Sequence, residues 1–361
     1  MKTVPVILAG GIGERFWPLS RSSMPKQLLP LISSKSMIEE TLSRVGPFCK
    51  KGTRPLIVTG NKIAGQIRKK LSSSVTCDYI VEPVGKNTAP AVAIAAAWIG
   101  KKYGEDSVMV VLSADHAISP KKEFTDAVSY AIKLASSLNT LIVFGIPPSR
   151  PDTGYGYIQL DKKLEKSGRL ESYIVKRFVE KPDLKTAREY LASKKYLWNS
   201  GMFVWKVSVI LEEFRQYMPA ILKGVKLAAK QGLNRKAINT FYRTCEKESI
   251  DFGIMERSQR VAAVRAAFTW DDLGSWESLS RVLPQDEKQT TVSGKRVYER
   301  ECKKTIIANS SDKTVATIGL DNTVVVTVDD AVLVISRDKL PQLKNYLAEL
   351  KTNSQFPRKL F

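Results

Sequence analysis

The fold class follows from residues 6–31, which read VILAGGIGERFWPLSRSSMPKQLLPL. The stretch begins with a short apolar run typical of a buried strand, and the run ends at Gly10 and Gly11. Two arginines and Lys26 follow soon after. Glycine lets backbone amides approach an anion closely, and nearby cations can neutralise its charge. The stretch therefore predicts a strand followed by a phosphate-binding turn; the alternative is an ordinary flexible turn.

Apolar runs alternate with helical patterns over the first part of the chain. Buried strands are expected at residues 4–8, 55–59, 79–81, 108–112 and 141–144. Helices are expected at 36–46, where Ser36 and Glu39 can form a capping box, and at 87–104. This alternation predicts an α/β fold with a Rossmann-like, mixed but mostly parallel sheet flanked by helices. Ligands of such sheets bind at the carboxyl ends of the strands, where the glycine turn lies.

The pattern changes after residue 150. Three segments, DTGYGYIQL, YIVKRFVEKP and WNSGMFVWK, are typical of antiparallel additions to the sheet, and helices are expected through 207–258 and over GSWESLSRVL. From residue 290 short apolar strands alternate, and the chain closes with a helix, KLPQLKNYLAELK. We therefore expect a main domain at residues 1–285 and a small β-rich, β-helix-like domain at 290–361.

Composition narrows the classes of function. The formal net charge is +21, but its cations are spread among acidic residues without an arginine-rich arm or zinc finger, which favours anionic small molecules over nucleic acid. His116 is the single histidine, so a site of several histidines cannot form, and we assign His116 no role. Phosphate transfer suits such a chain, because a phosphate nucleophile is already ionised at neutral pH.

The sequence also indicates where in the cell the protein is located. No stretch approaches the roughly 20 apolar residues of a membrane span, and the N-terminus lacks the order of a signal peptide. The four cysteines are scattered without the spacing of a disulfide framework or a zinc site. We expect a cytoplasmic protein with no membrane partner.

Two common phosphate motifs do not match the opening stretch. A P-loop would need a Lys-Ser or Lys-Thr pair after its glycines, and a dinucleotide fingerprint would need a third glycine where Phe16 stands.

Two other positions suggest a metal: Asp115 follows an apolar run, and Asp271 and Asp272 follow another. Mg²⁺ prefers one or two protein carboxylates, although either position alone could also be a helix cap or a turn.

Seven separated motifs, taken in order, resemble the sugar-1-phosphate nucleotidylyltransferases. They are LAGGIGERFWPLSRSSMPKQ, EPVGKNTAPA, LSADH, GYGYI, FVEKP, WNSGMF and WDDLGSW. Several of them are similar to the mannose-1-phosphate guanylyltransferase branch. The resemblance is strong over residues 1–285 and looser in the tail, and it implies the nucleotide-diphospho-sugar transferase fold.

The resemblance implies a role for each motif. The nucleotide-binding residues would be Leu8, Gly10, Gly11, Glu82, Gly85 and Asn87, with Glu82 accepting from guanine. The sugar-binding residues would be Gly156, Glu180 and Asn199. The catalytic cations would be Arg15, Lys26 and Lys181, and the Mg²⁺ ligands would be Asp115 and Asp272, the latter chosen over Asp271 by motif spacing alone. For Asn87 the simpler alternative is a helix cap.

The implied reaction is transfer of GMP from GTP to mannose 1-phosphate, giving GDP-mannose and pyrophosphate. The alternatives are a related enzyme with another base or sugar preference, and a regulatory protein that binds nucleotide sugars without catalysis. Larger enzymes of this branch carry a cupin-type isomerase domain, but the tail here has no histidine for its metal, so isomerase activity is not expected. Because the tail is too apolar for a linker and too short for an independent core, we expect it to need a partner surface and to support a homodimer; the alternative is a tail that folds only against its own chain.

Overall fold

The computed structural model describes residues 1–49, 52–71 and 75–361. These residues pack into two units. The first unit comprises Met1–Gly10, Leu42–Ala114 and Ile118–Trp270, and the second comprises Gly11–Thr41, Asp115–Ala117 and Asp271–Phe361. The packing units therefore do not follow the linear boundary expected near residues 285–290, and that domain boundary stays a prediction.

The strands and helices are numbered in chain order. The strands are β1 Thr3–Leu8, β2 Leu56–Gly60, β3 Asp78–Glu82, β4 Val108–Ser113, β5 Ala117–Ser119, β6 Leu141–Ile146, β7 Tyr157–Ser167, β8 Leu170–Val179, β9 Tyr196–Lys206, β10 Val261–Arg265, β11 Thr269–Asp271, β12 Thr291–Gly294, β13 Val297–Arg300, β14 Ile306–Asn309, β15 Val315–Ile318, β16 Thr323–Val328 and β17 Ala331–Ser336. The α-helices are α1 Met37–Val45, α2 Asn61–Leu71, α3 Thr88–Tyr103, α4 Lys121–Leu138, α5 Leu184–Ser193, α6 Val207–Tyr217, α7 Pro219–Lys230, α8 Arg235–Thr244, α9 Leu279–Val282 and α10 Leu343–Thr352.

A nine-stranded mixed sheet forms the centre of the first unit, as far as the structure describes it. Its strand order is β3-β2-β1-β4-β9-β6-β10-β8-β7. The register pairs show that β8 and β9 run against the others, so the sheet is mostly parallel. β1 and β4 end side by side, with Leu8 opposite Ser113. Parallel pairing thus brings the starts of the first glycine turn and of the Asp115 loop to one sheet edge.

The alanine-rich helix α3 packs on this sheet. Its small side chains are buried along most of its length and join the core of the first unit, which explains a sequence with little amphipathic contrast. Asn87 caps its N-terminus, because Asn87 Oδ1 accepts a hydrogen bond of 2.9 Å from Thr88 N.

The second unit contains the β-rich tail together with residues from early in the chain. β12, β14 and β16 are parallel neighbours, β17 is antiparallel to β16, and β13 pairs with β15 in parallel. Phe16 and Trp17 lie in the same buried core as Ile306, Val324 and Leu343. These buried apolar residues of the tail therefore pack within this unit.

Most sequence-based elements are confirmed, including the five first strands, the three antiparallel additions and the terminal helix. The helix from Ser36 is confirmed, and one of the two hydrogen bonds of its capping box is present, since Ser36 N donates to Glu39 Oε2 at 2.9 Å. The helix expected over GSWESLSRVL is confirmed at residues 276–282, where a 3-10 turn at Trp276–Ser278 continues into the four-residue α9. Buried Trp276, whose Nε1 donates to Trp17 O at 2.9 Å, places this turn by tertiary packing. No helix among the described residues is long and apolar enough to cross a membrane.

Candidate functional site

Lys26, Asp115 and Asp272 form a lysine–aspartate cluster in the second unit. The Lys26 side chain is 6% exposed, and its Nζ lies 2.7 Å from Asp115 Oδ2. The same ammonium donates to the backbone carbonyl of Asp272 at 2.9 Å. A buried ammonium needs such partners, because an unpaired charge in a low-dielectric environment is strongly unfavourable. The structure thus brings together one proposed cation and both proposed metal ligands.

The glycine turn determines where Lys26 lies. Gly13 has φ +79°, and a Cβ at Gly13 would come 2.5 Å from Lys26 Cβ, so only glycine lets the lysine stem pass. Lys26 N donates to Ile12 O at 2.9 Å, and Gln27 Nε2 donates to Gly11 O at 2.9 Å. The sequence-based site residues do not include Gly13; its signal in the sequence is the third glycine of GGIG.

Asp271 and Asp272 have different surroundings. Asp271 is buried, its Oδ2 accepts from Arg281 Nε at 2.6 Å, and its Oδ1 accepts from Arg281 Nη2 at 3.1 Å and from Leu273 N at 2.8 Å. Both oxygens of Asp271 are therefore committed to structural contacts. Asp272 Oδ1 accepts a hydrogen bond of 3.1 Å from Gly274 N, and the backbone carbonyl of Asp272 accepts one from Lys26 Nζ.

The donor set fits Mg²⁺ with few protein ligands. No group of three or more His, Cys, Asp or Glu side chains suited to a metal occurs within the described residues. Asp115, whose side chain is 25% exposed, and Asp272 would then supply carboxylate oxygens, and the substrates and water would supply the rest.

The remaining residues of the first motif are placed as follows. Leu8 ends β1, and Gly10 follows in the first unit, where a Cβ on Gly10 would meet no atom within 4 Å. Gly11 has φ +81° at the start of the second unit. Arg15 is exposed and lies in a 3-10 turn, Glu14–Phe16.

Glu82 lies at the end of β3 and is 8% exposed. The hydroxyl of Tyr242, in α8, donates to Glu82 Oε1 at 2.7 Å. Burial raises the pKa of Glu82, and the Tyr242 hydrogen bond opposes that rise. Gly85 lies in the loop that follows, and Asn87 caps α3, as its simpler interpretation predicts. Tyr242 was missed because it lies 160 positions away in the chain.

Gly156, Glu180, Lys181 and Asn199 converge in the first unit, and we call them, with Asp251, the carboxylate–amide cluster. A Cβ at Gly156 would come 2.3 Å from Glu180 Oε2 and 3.3 Å from Asn199 Cβ, so a side chain there would fill the space beside both. Glu180 Oε2 is buried and has no hydrogen-bond partner in the described structure. Lys181 Nζ pairs with Glu180 Oε1, and the Lys181 side chain is 61% exposed.

Asp251 completes this cluster and was missed by sequence analysis. Asn199 Nδ2 donates to Asp251 Oδ1 at 2.9 Å, and Asn199 Oδ1 accepts from Gly201 N at 2.9 Å. Burial, together with repulsion from Glu180, raises the pKa of Asp251 to about 6. Its sequence context, SIDFGIM, offers one signal, an acidic residue inside an apolar run.

Each cluster has its own chemistry. The lysine–aspartate cluster joins a buried ammonium to the carboxylate of Asp115 and the backbone carbonyl of Asp272, a combination that suits a polyphosphate with a divalent cation. The carboxylate–amide cluster offers a buried acceptor, an amide and an exposed ammonium, which suits a polyhydroxylated ligand carrying an anion.

Comparisons with known proteins agree with this chemistry. The family described as "Nucleotidyl transferase" matches residues 4–289, and the "MannoseP isomerase/GMP-like beta-helix domain" matches residues 299–350. Proteins named mannose-1-phosphate guanylyltransferase from Klebsiella pneumoniae and Escherichia coli are 39% and 38% identical to this chain, and each match covers 98% of this chain and 74% of the relative. The crystal structure of a Thermus thermophilus protein described as mannose-1-phosphate geranyltransferase gives a TM-score of 0.85 at 32% identity, covering 97% of this chain and 100% of that one.

Proposed function

Because the chain belongs to the nucleotidyl transferase family, we propose that it transfers GMP from GTP to mannose 1-phosphate, forming GDP-mannose and releasing pyrophosphate. The observation that carries the proposal is the convergence of Gly156, Glu180, Lys181 and Asn199 around an unpartnered buried carboxylate oxygen. A hydroxyl group of a ligand can satisfy that oxygen by donating a hydrogen bond to it.

The chemical step is an in-line displacement at phosphorus. An oxygen of the sugar phosphate forms a bond to the α-phosphorus of GTP, and the bond from that phosphorus to its bridging oxygen breaks, so pyrophosphate leaves with the electron pair. The attacking oxygen is already ionised, so no general base is required. Lys181 holds the sugar phosphate, and Lys26 and Arg15 neutralise the charge on the departing pyrophosphate.

Asp115 and Asp272 would hold Mg²⁺, which supplies charge neutralisation for phosphate oxygens when bound. Asp271 is excluded from this proposal by its bonds to Arg281. The contact of Lys26 with Asp115 supports the assignment, because it shows that the Asp115 carboxylate accepts a cation at this position.

Glu82 would select the base. Guanine presents an amide hydrogen and an exocyclic amine on one edge, and a carboxylate can accept from both, whereas adenine lacks this arrangement. Tyr242 holds one Glu82 oxygen in place. Leu8, Gly10, Gly11, Gly85 and Asn87 would contribute backbone near the nucleotide.

A substrate panel tests the proposed function. The chain is incubated with each nucleoside triphosphate and with mannose, glucose or fucose 1-phosphate, and pyrophosphate release is measured. We expect GTP with mannose 1-phosphate to give the highest kcat/KM. Glu82→Gln should lower the preference for GTP over ATP by about 1 to 3 kcal/mol, the cost of an unmatched polar partner. Absence of pyrophosphate release from every pair would favour a non-catalytic binding protein and refute the proposal.

We also propose a cytoplasmic homodimer. GTP and sugar phosphates are intracellular metabolites, and all four cysteines are free.

Exposed apolar side chains on the β-rich tail support the dimer; they are Tyr298, Ile318, Val332 and Val334, at 68%, 71%, 56% and 64% exposure. Light scattering should give a dimer for the wild type and a monomer for Val332→Lys with Val334→Lys. Leu227→Lys, which replaces an exposed side chain of α7, should leave the dimer intact. A monomeric wild type at micromolar concentration would refute it.

A further inference from the structure

We propose that Asp251 is a positioning residue that fixes the Asn199 amide as a hydrogen-bond donor to the sugar, an inference that rests on the proposed function. Asp251 touches no reacting atom in this scheme. Its effect on the substrate passes through Asn199.

The hydrogen bonds of Asn199 leave one group for a ligand. An asparagine side chain has one acceptor oxygen and two donor hydrogens. The oxygen accepts from Gly201 N at 2.9 Å, which fixes the amide orientation from one side. One hydrogen of Nδ2 goes to Asp251 Oδ1 at 2.9 Å, which fixes it from the other side. The second hydrogen of Nδ2 is the donor that remains for a hydroxyl oxygen.

Glu180 supplies the complementary acceptor. Its Oε2 is buried without a partner and lies against Gly156, where Asn199 Cβ also lies. The cluster thus presents one donor and one acceptor beside the same glycine. This pair matches two neighbouring hydroxyl groups of a sugar, one of which accepts from Asn199 while the other donates to Glu180.

The surroundings of Asp251 support a functional reason for its presence. Asp251 begins a π-helical turn, Asp251–Met255, and such turns occur frequently at functional sites. A carboxylate beside Glu180 is unfavourable for folding, since burial and the like charge both raise its pKa. An apolar residue would therefore pack at lower cost, and the bond to Asn199 explains why an acid is present.

Steady-state kinetics of Asp251→Ala and Asp251→Asn test the proposal. Asp251→Ala removes the acceptor and frees the Asn199 amide to turn, so we expect KM for mannose 1-phosphate to rise about tenfold or more with KM for GTP unchanged. Asp251→Asn retains an acceptor oxygen and should restore most of the affinity. Asn234→Ala, which removes the N-cap of α8 and a hydrogen bond to Gln231 O, serves as the control for a general loss of stability and should change neither KM.

A double-mutant cycle separates positioning from an independent structural role. If Asp251 acts through Asn199, then Asn199→Ala combined with Asp251→Ala should be no worse than Asn199→Ala alone. The inference would be overturned, and the proposed function left intact, if the increases in KM of the two single variants multiply in the double variant. An equal rise in KM for GTP would have the same consequence. Failure of the wild type to turn over any sugar phosphate would instead refute the proposed function, and the inference with it. If Asp251→Ala does not fold, an Asp251→Asn variant that shows the Asn199→Ala defect in full would also overturn it.

Discussion

Two neighbouring aspartates with opposite surroundings carry the metal assignment. Asp271 is buried with both oxygens bonded to Arg281, and the backbone carbonyl of Asp272 contacts buried Lys26. Asp272→Asn should therefore lower kcat by at least about a hundredfold, as for loss of one preorganised charge-stabilising group, with folding preserved. Asp271→Asn should instead lower the free energy of unfolding by about 1.5 to 3 kcal/mol, since it weakens charged hydrogen bonds.

Turnover assays and urea unfolding of both variants check this prediction. A loss of turnover in Asp271→Asn without loss of stability, next to near-normal activity in Asp272→Asn, would reverse the assignment. Asp312→Asn, a substitution of a fully exposed carboxylate, provides the control for the charge change itself.

The glycine turn is the element on which the position of Lys26 depends. Gly13→Ala places a methyl group where 2.5 Å separates it from Lys26 Cβ, at a residue with φ +79°. Because Cβ is close to the backbone and cannot swing away, the turn or the lysine must shift. We expect stability to fall by about 1 to 3 kcal/mol and kcat to fall at least about tenfold.

Gly65→Ala is the matched control, because Gly65 lies within α2 and its Cβ would meet no atom within 4 Å. This variant should keep full activity and gain about 1 kcal/mol from helix propensity. Unchanged kcat in Gly13→Ala would show that the turn tolerates a side chain and that Lys26 does not depend on it.

Local patterns of the elements were predictable from sequence, and partners far apart in the chain were not. The apolar run at 4–8 predicts β1 Thr3–Leu8, and the capping box at Ser36 predicts the start of α1, because both signals are local. Motif resemblance brought Gly156, Glu180 and Asn199 forward as one group, and the structure places them in contact. Asp251 and Tyr242 were not predictable, because each contacts its partner from another part of the chain.

The sheet order shows the same limit. The glycine-rich and aromatic residues of WNSGMFVWK predict an added strand, but no local signal places β9 between β4 and β6. That position depends on register and burial against strands that precede it by many residues. The roles of the site residues in nucleotide, sugar and metal binding stay predictions until the variants are measured.

Asp251 links the site to the stability of the whole molecule. Its pKa is raised from 3.8 to about 6, so the native state binds this proton more tightly than the unfolded state does. Binding of this proton therefore stabilises the native state at low pH, and this stabilisation is lost as the pH rises from 3.8 to about 6. Above that range the loss is complete. Asp251→Asn removes the charge, so at pH 8 it should be more stable than the wild type by about 2 to 3 kcal/mol.

Urea unfolding of Asp251→Asn and wild type from pH 8 down to about pH 4 measures this effect. The difference in unfolding free energy should narrow as pH falls through the window. A difference that stays constant across that range would mean that Asp251 does not titrate as described.

The central position of β9 also affects how the chain is made. β4 ends at Ser113, yet β9, which covers one of its edges, is complete only at Lys206. At synthesis rates of about 5 to 20 residues per second, the ribosome needs roughly 5 to 20 s for that interval. During this time the nascent chain carries unpaired strand edges on β4 and β6, which are prone to association with other chains. Nascent chains stalled before β9 emerges should therefore be digested faster by protease, and captured more by chaperones, than chains stalled after it.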